Sequence, residues 1–379
     1  MQQNHFDYII AGTGCAGLSL AMHLVQQKTL QAKTILLVDE ALKIHNDRTW
    51  CFWEKEAGLF EDVVCKQWDK LWFHSKTYSE ALSIAPYRYK MIRGIDFYQY
   101  CQNSLQQYPN VSFLHGKVES VFSGNKTGVM VNGKEYTAQY VFNSIPPKNP
   151  LLGKKDVWLL QHFKGWTIET NKAVFNPAEA TLMDFRVTQK RGTTFCYVLP
   201  TTPNKALIEY TLFTPSLLKP EEYDEELKAY IREYLQLEDY QVTESEFGII
   251  PMTNYRFSQG ENNIINIGTA GGQTKGSSGY TFYFIQQHSQ KIVTQLVNGK
   301  HPRVDNSPKR FHFYDSVLLE VLRQNSVEGA AIFSRLFKKN KPQPVLAFLN
   351  NASSLPTEAR IISTLPTLPF LKAAIRQIF

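Results

Sequence analysis

Gly12, Gly14 and Gly17 stand in the spacing G-x-G-x-x-G, between the apolar run Tyr8 to Ala11 and a stretch in which Leu18, Ala21, Met22 and Leu24 share one helical side. Asp39 closes the next apolar run, which begins at Thr34. Strand, turn, helix and strand in that order put the N–H groups of a helix N-terminus beside a turn that a diphosphate can approach. Gly12 permits the tight turn, Gly14 lets the backbone come close to the pyrophosphate, and Gly17 lets helix and strand pack. Asp39 is placed to accept hydrogen bonds from a ribose diol. The chemistry predicted is dinucleotide binding, and the spacing alone does not separate NAD from FAD. A second turn, Gly268-Thr269-Ala270-Gly271-Gly272, follows a late buried strand and precedes a helical stretch over 282–297. Two-domain flavoproteins present backbone N–H groups to the ribityl-pyrophosphate and the isoalloxazine from such a turn, which favours FAD; Thr269 stands where such turns usually carry an acid.

Two carboxylates are embedded in apolar strands. Glu209, in Ala206-Leu207-Ile208-Glu209-Tyr210-Thr211-Leu212-Phe213, shares a strand face with Leu207 and Thr211. A carboxyl in an apolar pocket has a raised pKa and can stay protonated as a general acid; a solvent-facing strand residue is the alternative. Asp184, in Leu182-Met183-Asp184-Phe185-Arg186, reads equally as a catalytic group or as the ion-pair partner of Arg186. The segment Arg48-Thr49-Trp50-Cys51-Phe52-Trp53 is dense in rings, and aromatics make up 13% of the chain. With Trp158, Phe163, Trp166, Phe195, Tyr197, Tyr280, Phe282 and Tyr283 they suggest either a cavity for a long apolar or cation-forming substrate or ordinary core packing.

The elements that must position these groups belong to an ordinary globular chain of 379 residues, 43% hydrophobic and 20% charged. Its 41 basic against 34 acidic side chains give a net charge of +7 without long basic runs, so a nucleic-acid partner is not expected. Five widely spaced cysteines without a C-x-x-C pair read as reduced thiols, and no metal site is expected. No export signal or membrane-spanning run is read, which points to a cytoplasmic protein and leaves attachment to a membrane surface open. The pattern predicts strands over 68–93, helical character from Gly94 onward with a helix over 97–108, a β-meander over 116–139, mostly strands over 158–213, and a charged helix over 221–237. After about residue 300 it predicts helices, with Pro356, Pro366 and Pro369 breaking the last part. There Ile361, Ile362, Leu365, Leu368, Phe370, Leu371, Ile375, Ile378 and Phe379 interleave with Arg360, Lys372 and Arg376. That composition suits either an interfacial segment or a packed terminal helix.

The ordered set of motifs resembles the lycopene cyclase family, specifically its bacterial beta-cyclases. The set comprises Gly12-Thr13-Gly14-Cys15-Ala16-Gly17, Arg48 to Trp53, Gln161-His162-Phe163-Lys164-Gly165-Trp166, Leu182 to Arg186 and Phe195-Cys196-Tyr197-Val198-Leu199-Pro200. It continues through Leu207 to Thr211, Gly248-Ile249-Ile250-Pro251-Met252, and Gly268 to Gly272 onward to Ser278-Gly279-Tyr280-Thr281-Phe282. Plant and cyanobacterial relatives carry two adjacent glutamates in the strand motif; here Tyr210 follows Glu209, which concentrates the acid role on Glu209. The resemblance implies conversion of the psi ends of lycopene and other acyclic carotenoids to beta-ionone rings, lycopene to beta-carotene via gamma-carotene, without net redox change. It implies FAD active in its reduced form, NAD(P)H as electron source, and a cytoplasmic protein peripherally attached to a membrane. Glu209 and Asp184 are the implied catalytic residues, and Gly12, Gly14, Ala16, Gly17, Asp39, Arg48, Gly268, Thr269, Ala270, Gly271 and Gly272 the implied cofactor residues. The implied fold is α/β: a Rossmann-type FAD-binding domain over 1–66, 94–155 and 255–300, an inserted antiparallel-sheet substrate domain over 67–93 and 156–254, and a helical C-terminal region over 301–379. A flavin monooxygenase or dehydrogenase acting on an apolar substrate, and a non-catalytic carotenoid or flavin carrier, are the alternatives.

Overall fold

The computed structural model describes residues 4–147, 150–304 and 308–379. In chain order the first part holds β1 His5–Ala11, α1 Cys15–Val25, β2 Ile35–Asp39, β3 Thr49–Glu54, β4 Lys66–Trp68, β5 Lys70–Ser75, β6 Tyr78–Ser83, β7 Arg88–Arg93 and α2 Gly94–Leu105. Then come β8 Val111–His115, β9 Val118–Ser123, β10 Thr127–Val131, β11 Lys134–Asn143, β12 Trp158–Glu169, β13 Ala180–Asp184, β14 Thr193–Thr202, β15 Lys205–Thr214 and α3 Pro220–Tyr234. The last part holds β16 Gln241–Thr253, β17 Ile264–Asn266, α4 Phe282–Val297, α5 Lys309–Arg323, α6 Gly329–Lys339, α7 Pro342–Leu349, α8 Leu355–Ser363 and α9 Thr367–Ile378.

The continuous apolar runs form strands buried on both faces. Tyr8 to Ala11 and Ile35 to Val38 are almost wholly buried in a sheet ordered β8-β2-β1-β11, parallel throughout, with β17 parallel to the end of β11. Helices α1, α2 and α4 cover one face through Leu18, Phe97 and Ile292. The meander β9-β10-β11 folds over the other, closing on Ile9, Val38 and Val129. A second sheet runs β16-β12-β15-β14-β13, antiparallel, and continues through β5, parallel to β13, to β6. One face packs Trp166, Ile208 and Tyr210 against α3; the other meets α6, where Phe333 and Phe337 touch Phe185 and Phe73. A small third sheet is ordered β3-β7-β4.

Some boundaries differ from the expected ones. Helix α2 starts at Gly94, whose N–H donates to Arg48 O at 2.8 Å and anchors the helix start to the loop before β3, and ends at Leu105 rather than Tyr108. Helix α3 ends at Tyr234, where Gln236 takes φ +57 and the Leu237 N–H returns to Ile231 O, a C-terminal turn that satisfies an end carbonyl. The late prolines open helices rather than break them. Pro356 lies in the first turn of α8, Pro366 caps α9 and Pro369 falls in its first turn, positions where a missing N–H costs nothing. Among the described residues no helix is long and apolar enough to cross a membrane.

Candidate active site

The first glycine turn leaves β1 and enters α1. Gly12 takes φ +92, and a Cβ on Gly17 would lie 2.0 Å from Gly12 O, so helix and turn meet at backbone distance. Gly14 caps α1 and faces open space, with no atom within 4 Å of where its Cβ would stand. The second turn is a 3₁₀ turn, Gly268–Gly271, ended by Gly272 at φ +78. It is pressed onto the first, since a Cβ on Gly268 would lie 2.6 Å from Ala16 Cβ. Gly14, Cys15, Ala16, Gly268 and Thr269 therefore line one wall of a cavity of about 620 Å³. Ala270 and Gly271 are buried behind that wall, and none of Ala270, Gly271 and Gly272 lines the cavity. Arg48 lines the wall too, its guanidinium held by Asp47 at 2.7 and 3.0 Å.

Asp39 is turned toward the first glycine turn rather than into the cavity. Its carboxylate accepts from the Thr13 N–H at 2.6 Å, the Thr13 hydroxyl at 2.9 Å and the Ala41 N–H at 2.7 Å. Burial would raise its pKa, but the Ala41 and Thr13 bonds and the Lys43 charge outweigh burial and lower it. On the cavity wall the buried polar atoms Gln161 Oε1 and Ser278 Oγ have no hydrogen-bond partner among the described residues. Open space over Gly14 at a helix N-terminus, with unpaired polar atoms facing the same cavity, fits a diphosphate and a flavin ring.

The opposite wall is the second sheet. On β15, Glu209 stands opposite Tyr197 of β14 and opposite Gly165 of β12. Gly165 in turn stands opposite Glu246 of β16, so one residue without a side chain separates two glutamates. A Cβ on Gly165 would come 3.0 Å from Glu246 Cγ and 3.0 Å from Leu207 Cδ1. Glu209 Oε1 accepts from the Thr211 hydroxyl at 2.7 Å, and Glu246 Oε2 from the Thr49 hydroxyl at 2.8 Å. Burial raises the Glu209 carboxyl well above the carboxylate range, and the charge of Glu246 raises it further. Burial raises Glu246 as well, against the bond from Thr49. The surface that Glu209 retains opens into the cavity and not onto the outer face. Trp158, Phe163, Tyr197, Phe247, Phe257 and Tyr280 complete the wall.

Asp184 is not brought to this site. It stands opposite Cys196, which stands opposite Tyr210, on the sheet face that packs against α3. There it is fully buried, takes bidentate bonds from Arg186 Nε and Nη2 and a bond from the Tyr230 hydroxyl at 2.9 Å. Of its two sequence readings, the geometry is that of the ion pair. Trp166 and Phe195 are core residues, and Tyr283 lines a separate, larger cleft of about 860 Å³ between α1, α4 and residues 54–60, which holds neither glycine turn and neither Glu209 nor Glu246. Sequence reasoning did not single out Glu246. The period-two pattern of β16 places Glu246 and Gly248 on one face, but only the strand register brings that face to Gly165 and Glu209.

Residues 7–375 match the family described as lycopene cyclase protein. The chain belongs to the lycopene cyclase family. No curated protein matches it. Among solved structures, a geranylgeranyl bacteriochlorophyll reductase-like protein from Thermoplasma acidophilum is similar at TM-score 0.65 and 11% identity, over 98% of this chain and 96% of that one. The flavin-dependent brominase Bmp2 is similar at TM-score 0.62 and 12% identity, over 92% and 94%. Aklavinone-11 hydroxylase, solved with FAD and aklavinone, is similar at TM-score 0.58 and 13% identity, over 78% and 63%. This lycopene cyclase family member thus has the α/β fold of FAD-dependent oxidoreductases, with mixed sheets and a helical C-terminal region.

Proposed function

We propose that this protein is a lycopene beta-cyclase that closes psi ends to beta rings by acid-initiated carbocation cyclisation, with FAD bound along the glycine turns. The observation that carries the reading is Glu209: an uncompensated carboxyl, kept protonated by burial and by Glu246, facing an aromatic cavity whose other wall is the dinucleotide turn. The N–H groups at Gly14, Cys15 and Ala16 and the turn at Gly268 and Thr269 would hold the pyrophosphate and the ring, and Arg48 would add positive charge. Asp39 already uses three acceptor positions on the turn, so its first role is to fix Thr13, with remaining lone pairs for a ribose hydroxyl. When bound and reduced, FAD would supply an electron-rich ring to favour a developing cation, with NAD(P)H as the class of electron source.

Glu209 gives its proton to C2 of the psi end, leaving a tertiary cation at C1. The C5–C6 double bond then closes the ring, and loss of the C6 proton leaves the beta ring. Phe163, Tyr197 and Tyr280 offer ring faces to the cation and exclude water that would capture it. Access from a bilayer falls to the C-terminal region. Leu368, Leu371, Ile375 and Ile378 form one exposed apolar stripe on α9 that ends at Phe379, while Ala373 is buried and Phe370 packs inward. Leu151, 92% exposed, and Leu152 adjoin it, because Lys155 Nζ donates to Ile378 O at 2.8 Å. The basic residues Lys372 and Lys154 on these segments suit an anionic lipid surface.

The test is anaerobic incubation of the FAD-loaded protein with lycopene in liposomes, with and without dithionite. A bicyclic product of unchanged mass, formed only with reduced flavin and lost in Glu209→Gln, supports the reading. An oxygenated product on admitting air replaces it with the monooxygenase, and lycopene returned intact under all conditions replaces it with the carrier.

A further inference from the structure

Two carboxyl groups facing each other inside a protein do not both ionise readily, because each charge disfavours the other and neither is hydrated as in water. Local strand chemistry does not require the approach of Glu209 and Glu246. It depends on Gly165, since any side chain there would stand between β15 and β16 on the cavity face. Glu246 is 7% exposed, and its Oε1 has no N–H or hydroxyl donor among the described residues, which leaves a protonated Glu209 as the group that can satisfy it.

Resting on the reading of Glu209 as proton donor, we propose that Glu246 is its positioning residue: held by Thr49 and set alongside Glu209 across Gly165, it keeps the transferable proton on Glu209 between turnovers. The pair begins each ring closure with one proton and one negative charge. The C1–C2 π pair takes the Glu209 proton to form the C2–H bond and leaves C1 positive. The C5–C6 π pair forms the C1–C6 bond and leaves C5 positive. The C6–H pair then restores a C5–C6 double bond, and the released proton returns to the carboxylates. No oxidant or reductant is consumed.

Among the surrounding groups, the charges of Glu244 and Asp47 raise Glu246 further. On β16 and in the loop before β3, Glu244 and Asp47 carry their own cations, Arg93 at 3.1 Å and Arg48 at 2.7 Å. On β12, Lys164 points to the α3 face, where it pairs with Asp224. Cys51 of β3, Tyr197 of β14 and Tyr280 before α4 face Glu209, and burial pushes all three upward, so they stay neutral.

The experiment uses the FAD-loaded protein with Glu246→Gln, Glu246→Asp and Glu246→Ala. Gln keeps an acceptor for Thr49 and removes the charge; Asp restores the charge. Two readouts are taken: the pH profile of kcat, and an infrared titration of the protonated-carboxyl band that Glu209→Gln removes. With the neighbouring charge gone, the Glu209 carboxyl becomes the stronger acid. In Glu246→Gln both midpoints then move to lower pH by about one unit, so the rate at pH 8 relative to pH 6 falls about fivefold against the original protein. Glu246→Asp returns the midpoints, and Glu246→Ala shifts them while also lowering the rate through loss of the Thr49 bond. Midpoints unmoved in Glu246→Gln would overturn the proposal and reduce Glu246 to an anchor for Thr49. A shifted infrared midpoint without mass-neutral product from any variant would retain the carboxyl pair and remove the cyclase reading instead.

Discussion

Replacing Glu209 by Gln stabilises the fold, and only above mildly acidic pH. The folded-state pKa of Glu209 is raised, first by burial and then by Glu246, from an ordinary value of 4.5. Below that value both folded and unfolded chains carry the proton, and the acid costs nothing. As pH rises toward the raised folded value, the unfolded chain loses its proton while the folded one keeps it. The unfolded state then binds fewer protons, and stability falls with pH. Each unit of difference is worth about 1.4 kcal/mol, so a raise of a few units costs a few kcal/mol at pH 9. Gln fills the same space and has no charge to bury. An unfolding entropy of about 2 cal/mol/K per residue over 379 residues gives about 0.8 kcal/mol/K, so about 3 kcal/mol corresponds to a gain of about 4 °C in Tm. Thermal melts of both proteins from pH 4 to pH 9 read this directly. The curves coincide at pH 4 and separate above pH 6, with the variant higher. Parallel curves, or a variant that melts lower at pH 9, would refute the burial of an uncompensated carboxyl at this position.

Gly14→Val leaves the melt of the flavin-free protein within about 1 °C, because φ −76 and ψ −165 suit valine and its Cβ enters open space, but weakens FAD retention about tenfold or more. Gly17→Val, whose Cβ would meet Gly12 O at 2.0 Å, lowers both the melt and flavin content; equilibrium dialysis with melts separates the two variants. Asp184→Asn removes the negative charge and one of the two acceptor oxygens that serve Arg186 and Tyr230, and costs a few kcal/mol in denaturant titration, while the pH profile of kcat keeps its midpoint. Substituting Leu368, Leu371 and Ile375 together by Ser removes exposed apolar surface, lowering co-sedimentation with anionic liposomes severalfold at unchanged Tm.

Legibility in the sequence followed the range of the interaction. The turn at Gly12 to Gly17 is specified by residues within a dozen positions, and strand, helix and glycines stand where the spacing places them. Asp39 was legible as an acid at the end of β2, but its orientation toward Thr13 depends on backbone donors that carry no sequence signal. Glu209 was legible because a carboxylate interrupts an apolar strand. Glu246 was not, because its partner lies 37 positions away and the two meet only through the register of a third strand at Gly165. The late prolines carried the right information under the wrong sign: the same missing N–H that breaks a helix interior is harmless at its first turn.

Asp184 and Glu209 have nearly the same local sequence and opposite surroundings, and sheet register accounts for the difference. Asp184, Cys196 and Tyr210 align on the face that α3 covers, where Arg186 can fold back and supply a guanidinium. Glu209, Tyr197 and Gly165 align on the other face, where no described salt bridge reaches the carboxyl and the neighbouring acid is Glu246. An ion-paired acid is a poor proton donor, since the cation that stabilises its carboxylate also removes its proton. A one-residue slip of β15 would exchange Glu209 and Tyr210 between the faces, placing the acid beside α3 and a phenol in the cavity. Gly165 then has two functions that one backbone position can combine: its backbone pairs with both β15 and β16, and its missing side chain leaves the gap through which two carboxyls share a charge. Gly165→Ala separates these, because a methyl group 3.0 Å from Glu246 Cγ displaces that flexible side chain while the backbone pairing of β12 survives. The variant therefore folds and melts near the original at pH 5, and its infrared carboxyl midpoint moves in the direction of Glu246→Gln. A midpoint unchanged in a folded Gly165→Ala protein would mean that the two glutamates titrate independently of their contact across β12.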